Sequence, residues 1–321
     1  MIEYLLLIAG IALLIKGADY LVEGSSTLAK KLGVPTLIIG LTVVAFGTSM
    51  PELIVNIISA IKGTGDVAFG NIIGSNMANI LLILGLTAII TKLKIQHSTV
   101  YKEIPFSLLA VVVLFIFANV FFLDKLSINA LLRADGIILL LFFFIYLYYV
   151  FELSKQNKSE LVDKKIVIKG HSNFIIFLMI LGGFAGLYFG GRWTIEGAVT
   201  IARSFGLSEF LISATVIAIG TSLPELITSV TAALKKDVDL AVGNIVGSNI
   251  FNILWVLGLT SVIKPIAFPT NAIIDLAILL FVTFLLFLFM FIGKKHELER
   301  WQGIMFVILY IIYVIFLIIR G

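Results

Sequence analysis

Two hexapeptides place reactive side chains in the middle of long apolar runs. Gly47-Thr48-Ser49-Met50-Pro51-Glu52 and Gly220-Thr221-Ser222-Leu223-Pro224-Glu225 each hold two hydroxyls, a proline and one carboxylate. An ionisable group at membrane depth costs about 2.5–3.5 kcal/mol on insertion scales. Two of them in matched settings imply a site built for cations. Pro51 has no N–H, and its ring clashes with the carbonyl four residues back, that of Gly47. Oxygens released in this way within lipid must meet protein, water or an ion. Thr48, Ser49 and Glu52 supply further oxygens, and Thr221, Ser222 and Glu225 do the same in the second copy. These are hard ligands of the kind calcium and sodium accept; calcium takes about 6–8 of them at about 2.3–2.6 Å. A proline kink with a hydrogen-bonded Glu explains one copy, but it leaves the repetition unexplained.

Each hexapeptide is followed by a second polar motif: Gly70-Asn71, Gly74-Ser75-Asn76 and Asn79 in the first copy, and Gly243-Asn244, Gly247-Ser248-Asn249 and Asn252 in the second. Ser75 and Asn79 are four apart and share a helix face. Gly70 and Gly74 share one too, with a spacing that allows close helix approach. Ser75, Ser248, Asn79 and Asn252 are read as facing a ligand. Asn71, Asn76, Asn244 and Asn249 are read as a mixture of supporting and structural residues. Small-residue packing with interhelical amide bonds accounts for any one of them taken singly.

The elements that must position these groups are membrane helices. Of 321 residues, 60% are hydrophobic and 13% charged, against about 25% charged in soluble domains; mean hydropathy is +1.14. A helical span needs about 20 apolar residues, and the runs are that long. Ten spans are expected, near 2–23, 34–61, 68–90, 104–123, 130–151, 173–195, 208–233, 240–262, 271–292 and 302–319. The first run has no basic leader and no small-residue cleavage site, so it is kept as a helix. There is no Cys, which excludes disulfides and thiolate metal sites. The net charge of +4 reads as loop orientation charge, not a nucleic-acid footprint. Lys30 and Lys31, Lys92 to Lys102, Lys155 to Lys169, Lys235 and Lys236, and Lys294 to Arg300 all fall on one side of the expected topology. That side is cytoplasmic by the positive-inside rule, and both termini face out.

The chain repeats itself. Adding 173 to a residue number between Glu23 and Thr87 lands on its partner without a gap: Glu23 on Glu196, Thr42 on Thr215, Glu52 on Glu225, Asn79 on Asn252 and Thr87 on Thr260. Five spans per half is an odd number, so the second half must enter the membrane inverted. Inverted repeats of secondary transporters build their sites at the midplane from discontinuous helices. The expected fold is therefore all-α, with ten transmembrane helices in two inverted five-helix repeats and broken helices 2, 3, 7 and 8 around a midplane site. The divisions are 1–152, a cytoplasmic linker 153–171, and 172–321.

Other groups receive plainer readings. Asp66 and Asp239 precede helices 3 and 8, where Asp is a favoured N-cap. Glu23 and Glu196 are placed at helix ends. His97, His171 and His296 fall in loops and read as solvated. Gly10 and Gly17 of helix 1, with Gly182, Gly183, Gly186, Gly190 and Gly191 of helix 6, offer smooth faces. Those faces could slide against the rest or simply pack closely. No phosphate-cradling Gly-Lys loop or metalloprotease helix signature is present, which leaves ATP-driven pumping without support.

With these motifs in view, the sequence resembles the cation/calcium antiporter superfamily and, within it, the sodium/calcium exchangers of the prokaryotic type that lacks a regulatory domain. The resemblance rests on Gly-Thr-Ser-x-Pro-Glu twice, each followed by Gly-Asn-x-x-Gly-Ser-Asn, and it covers nearly the whole chain. It implies Ca2+ ligation by Glu52 and Glu225 with the carbonyls at Thr48 and Thr221. It implies Na+ ligation by those carboxylates with Ala45, Ser49, Ser75, Ala218, Ser222 and Ser248. Asn79 and Asn252 match further site positions. The position of Asn252 is Asp in the potassium-dependent branch, so Asn here argues against potassium co-transport. Proton-coupled members usually lack the Thr-Ser pair, so its presence twice favours sodium. The implied activity is exchange of Na+ for Ca2+ across the plasma membrane, three for one. It is not enzymatic, needs no cofactor, and takes Ca2+, Na+ and the lipid bilayer as its partners, with neither nucleic acid nor a required protein partner. A proton/calcium exchanger, a cation channel and a structural membrane protein are the rival readings.

Overall fold

The computed structural model describes residues 2–124, 130–156, 171–204, 218–269 and 272–320. It is all-helical apart from two short ribbons. The helices are α1 (Ile2–Leu32), α2 (Thr36–Thr48), α3 (Met50–Lys62), α4 (Gly65–Ile90), α5 (Ile104–Asp124), α6 (Arg133–Gln156), α7 (Asn173–Ser204), α8 (Ala218–Thr221), α9 (Leu223–Leu234), α10 (Val238–Ile263), α11 (Ala272–Phe289) and α12 (Arg300–Arg320). Seven of these stretches are long and apolar enough to cross a membrane, and eight if α2 and α3 count as one bent span. The ninth expected span is matched by a shorter apolar helix within α11. The seventh is matched by α9, and its earlier part, with Thr215, lies outside the described residues.

The two halves use the same backbone conformations at offset positions. Ser49 breaks α2 from α3 at φ −84°, ψ 5°, and Ser222 separates α8 from α9 at φ −89°, ψ 6°. The following proline cannot donate to the preceding turn, and α2 and α3 meet at a 43° bend. Gly63 ends α3 in the left-handed region at φ 79°, the usual helix stop. Its offset partner Lys236 adopts the same conformation at φ 64°, at a cost of roughly 1–2 kcal/mol for a residue with a Cβ.

Helices α4 and α10 depart from expectation. Both were expected to be broken, yet each runs through without a gap. Each instead carries a π-helical stretch, Ala78–Leu84 in α4 and Phe251–Leu257 in α10. No proline interrupts either one, so the backbone absorbs the irregularity by widening its turn, a device common at functional sites. The caps also differ from the sequence reading. Asp66 and Asp239 lie in the first turns of their helices. Thr64 and Asp237 occupy the cap positions, and Asp237 accepts from the Leu240 N–H at 3.1 Å.

Helices α1 and α7 have 31 and 32 residues, about 46–48 Å at 1.5 Å per residue, against an apolar bilayer core of about 30 Å. Both extend well past the expected ends, so Glu23 and Glu196 lie inside them. Their glycines face each other. A Cβ on Gly17 would lie 2.8 Å from the Leu187 nitrogen, and one on Gly186 2.9 Å from the Gly17 Cα. Gly10 meets Gly190 and Thr194 in the same way. The smooth faces therefore join α1 to α7, and the surface that packs on the rest of the molecule is built from other residues.

The ribbons tie the halves together. β1 (Leu93–Lys94) pairs antiparallel with β4 (Glu297–Leu298), and β2 (Ala130–Leu131) pairs antiparallel with β3 (Ile266–Ala267). Residues 93 and 94 plus 173 give 266 and 267, so the two ribbons are counterparts across the repeat. They also place loop 91–98 beside loop 290–299. His97 and His296 are not simply solvated. Their rings stand 5.6 Å apart in a cluster with Tyr101 and Phe291. His171 contacts Glu23, Nε2 to Oε1 at 3.2 Å.

Candidate functional site

The breaks at Ser49 and Ser222 start α3 and α9, and each helix carries a Glu in its first turn. Glu52 is fully buried and Glu225 is 1% exposed. The two carboxylates lie close enough to interact electrostatically. Two acids, one from each half of the sequence, are thus buried near each other in an apolar interior. Buried acids in such a pair must be protonated or matched by positive charge, since an unpaired buried charge is too costly to keep.

Hydroxyls from both halves reach these acids, and some cross from one half to the other. Ser49 donates to Glu225 Oε1 at 3.3 Å. Ser75, one helix over, donates to Glu52 Oε1 at 3.3 Å. Thr48 and Ser248 lie beside Glu225 as well, and their hydroxyls are 3.4 Å from each other. Thr48 also donates to Asn244 Oδ1 at 3.1 Å. The second oxygen of each acid, Oε2, is buried with no hydrogen-bond partner among the described residues, and so is Ser222 Oγ. Ala45 is buried against Gly247, and its carbonyl accepts the Ser49 N–H at 3.0 Å. Thr221 closes α8 and is half-buried. Ala218 opens α8.

The amides differ in the partners they find. Asn79 and Asn252 are each the second residue of the π-helical stretch of their helix and are buried. Each keeps a side-chain oxygen without a hydrogen-bond partner among the described residues. Asn71 donates to Asn56 Oδ1 at 2.7 Å and to the Glu52 carbonyl at 3.3 Å. Asn244 donates to Ser229 at 2.9 Å. Asn56 and Ser229 are the residues that motif reading missed. They are offset partners, 56 and 229, so comparing the two halves position by position could have found them.

Among the described residues, no group of three or more His, Asp or Glu side chains could hold a metal. The donor set is two carboxylates with hydroxyl, amide and carbonyl oxygens. Such a set suits a hard, oxygen-seeking ion and gives nothing to thiophilic or imidazole-seeking metals.

Comparison with known proteins shows the family. The sequence profile described as "Sodium/calcium exchanger protein" matches residues 2–152 and 175–319. The chain belongs to the sodium/calcium exchanger protein family. Like other members, it is an integral multi-pass membrane protein. It is 30% identical to the sodium/calcium exchanger MaX1 of Methanosarcina acetivorans, with 98% of each chain covered. It is 35% identical to the putative antiporter CaxA of Alkalimonas amylolytica, again over 98% of each. It also superposes on the sodium-calcium exchanger NCX_Mj, solved after soaking with Na+ and Ca2+, at a TM-score of 0.81 and 31% identity over 98% of each chain.

Proposed function

We propose that this chain is a secondary active antiporter that exchanges Na+ for Ca2+ by alternating access, three Na+ for one Ca2+. The observation that carries the reading is the meeting of Glu52 and Glu225, buried and contributed by opposite halves, each with an oxygen left unpartnered among the described residues. Two carboxylates give the empty site a charge of about −2, and one Ca2+ neutralises it. Sodium must do the same with more than one ion in overlapping positions. Occupancy is then mutually exclusive by charge and space, which makes exchange rather than co-transport. Three Na+ for one Ca2+ moves one net charge per cycle, for which 100 mV contributes about 2.3 kcal/mol.

Glu52, Glu225 and the carbonyls of Thr48 and Thr221 would hold Ca2+. The same carboxylates with Ala45, Ala218, Ser49, Ser222, Ser75 and Ser248 would hold Na+, with Asn79 and Asn252 completing the site. The fold reading is ten spans in two inverted repeats, 1–152 and 172–321, joined by a cytoplasmic linker 153–171. In it the protein sits in the plasma membrane with both termini outside. The matched angles at Ser49 and Ser222 and the counterpart ribbons support it. The glycine-locked pair α1–α7 is the body that would move against the rest.

The test uses proteoliposomes loaded with Na+. An outward Na+ gradient is expected to drive 45Ca2+ uptake, while a pH gradient without Na+ does not. Glu52→Gln and Glu225→Gln are each expected to abolish uptake. Uptake driven by protons alone would replace the coupling ion, and uptake surviving in both variants would remove the site.

A further inference from the structure

We propose that Asn76 and Asn249 are positioning residues: they fix which atom Asn252 and Asn79 turn toward a bound cation. The inference rests on reading the central site as a cation site and goes beyond it to the residues behind the ligands.

A primary amide has an oxygen end that attracts a cation and a nitrogen end that repels it. Which end faces the ion is therefore decisive. In the α4–α10 contact the choice is made by a relay of hydrogen bonds across the two halves. A backbone carbonyl can only accept, so it fixes whatever donates to it. Asn76 Nδ2 donates to the Asn249 carbonyl at 3.4 Å. Asn76 Oδ1 is therefore left to accept, and Asn252 Nδ2 donates to it at 3.1 Å. The counterpart bond runs from Asn79 Nδ2 to Asn249 Oδ1 at 3.0 Å. With both nitrogens committed, the oxygens of Asn252 and Asn79 turn away from the relay. Both are buried with no hydrogen-bond partner among the described residues. Asn79 lies one turn beyond Ser75, whose hydroxyl holds Glu52.

A buried acceptor left without a partner is unfavourable. A bound cation relieves that by taking the oxygen as a ligand. The sequence motif Gly-Ser-Asn therefore supplies one residue per half that touches no ion. Asn76 serves the ligand of the other half, Asn252, and Asn249 serves Asn79. What each must offer is an acceptor at Oδ1. Losing a partner of this kind behind a metal ligand typically lowers affinity 10–100-fold.

The test is isothermal titration calorimetry of CaCl2 into the purified full chain in detergent. Asn76→Leu and Asn249→Leu remove the acceptor and are expected to weaken Ca2+ affinity at least tenfold. Asn76→Asp and Asn249→Asp keep an acceptor oxygen in place and are expected to stay within threefold of wild type or to bind more tightly. A purely structural role predicts the reverse ranking, because Asp buries an extra charge and Leu does not. Glu52→Gln in the same assay separates the two levels of the argument. If it binds like wild type, or wild type gives no heat, the cation site itself is lost and the inference falls with it. If Glu52→Gln abolishes binding but both Leu variants stay within threefold, the positioning role alone is overturned. Should the Leu variants fail to fold, the Asp variants decide: a tenfold loss in them overturns the inference.

Discussion

The contact between α1 and α7 gives a prediction whose size can be worked from distances. A Cβ added at Gly17 would stand 2.8 Å from the Leu187 nitrogen, 2.9 Å from the Gly186 carbonyl carbon and 3.0 Å from the Gly183 oxygen. Ordinary contact begins near 3.4 Å, and the neighbours are backbone that cannot swing aside. The helices must part by several tenths of an ångström along a seam that reaches from Gly10 to Gly24. Overpacking of this kind costs about 1–3 kcal/mol. Replacing Gly by Ala inside a helix also returns about 0.8–1 kcal/mol of propensity, which hides part of the effect. Gly182 removes that ambiguity. It lies on the partner helix, beside the seam, with nothing within 4 Å of its Cβ position. Gly182→Ala gains the same propensity without the clash, so the difference between the two variants isolates the clash at about 1–3 kcal/mol. At about 2.1 cal/mol/K of unfolding entropy per residue, that is about 1.5–4.5 °C in Tm for a chain of this length, read by thermal unfolding of the purified protein in one detergent. Gly182→Ala is expected to melt at or above wild type, and Gly17→Ala below Gly182→Ala by that margin. Equal melting of the two variants would refute the assignment of these glycines to a tight α1–α7 seam.

Ser49→Ala and Ser75→Ala each remove a hydroxyl from one central carboxylate. If those oxygens serve sodium, about tenfold more Na+ is needed to displace 45Ca2+ from either variant, the factor that 1.4 kcal/mol gives, while Ca2+ affinity alone changes less. His296 gives a pH dependence. Burial, then the charge of Lys295 and the neighbouring His97, hold its imidazole below the usual value of about 6.5. The fold thus favours the neutral ring. Its contribution is present above about pH 6.5 and fades as pH falls through the lowered folded value. Wild type is expected to lose more Tm than His296→Asn between about pH 7.5 and pH 5.5. Asn tolerates the left-handed backbone at this position, φ 60°, so equal losses would dismiss the His296 account.

Much of this protein is legible in its sequence. Composition demands membrane helices. The 173-residue offset names Glu52 with Glu225 and Asn79 with Asn252, because a polar motif is costly inside apolar sequence and would not be kept twice without a shared role. Proline and serine place the breaks in both hexapeptides. Within one helix, period and spacing carry such information directly.

The remaining features need the fold, since they depend on which surfaces meet between segments far apart in the chain. Spacing puts Ser49 near Glu52, yet its hydroxyl reaches Glu225, 176 residues away. The glycines of α1 and α7 could have packed on any smooth neighbour, and only the docked helices show them paired with one another. Spacing set Asn79 toward a ligand and Asn76 among the supporting or structural residues, but it could not say how either amide is held. Which of them presents an unpartnered oxygen, and which spends its oxygen on the other half, follows from hydrogen bonds between α4 and α10 that no local pattern encodes.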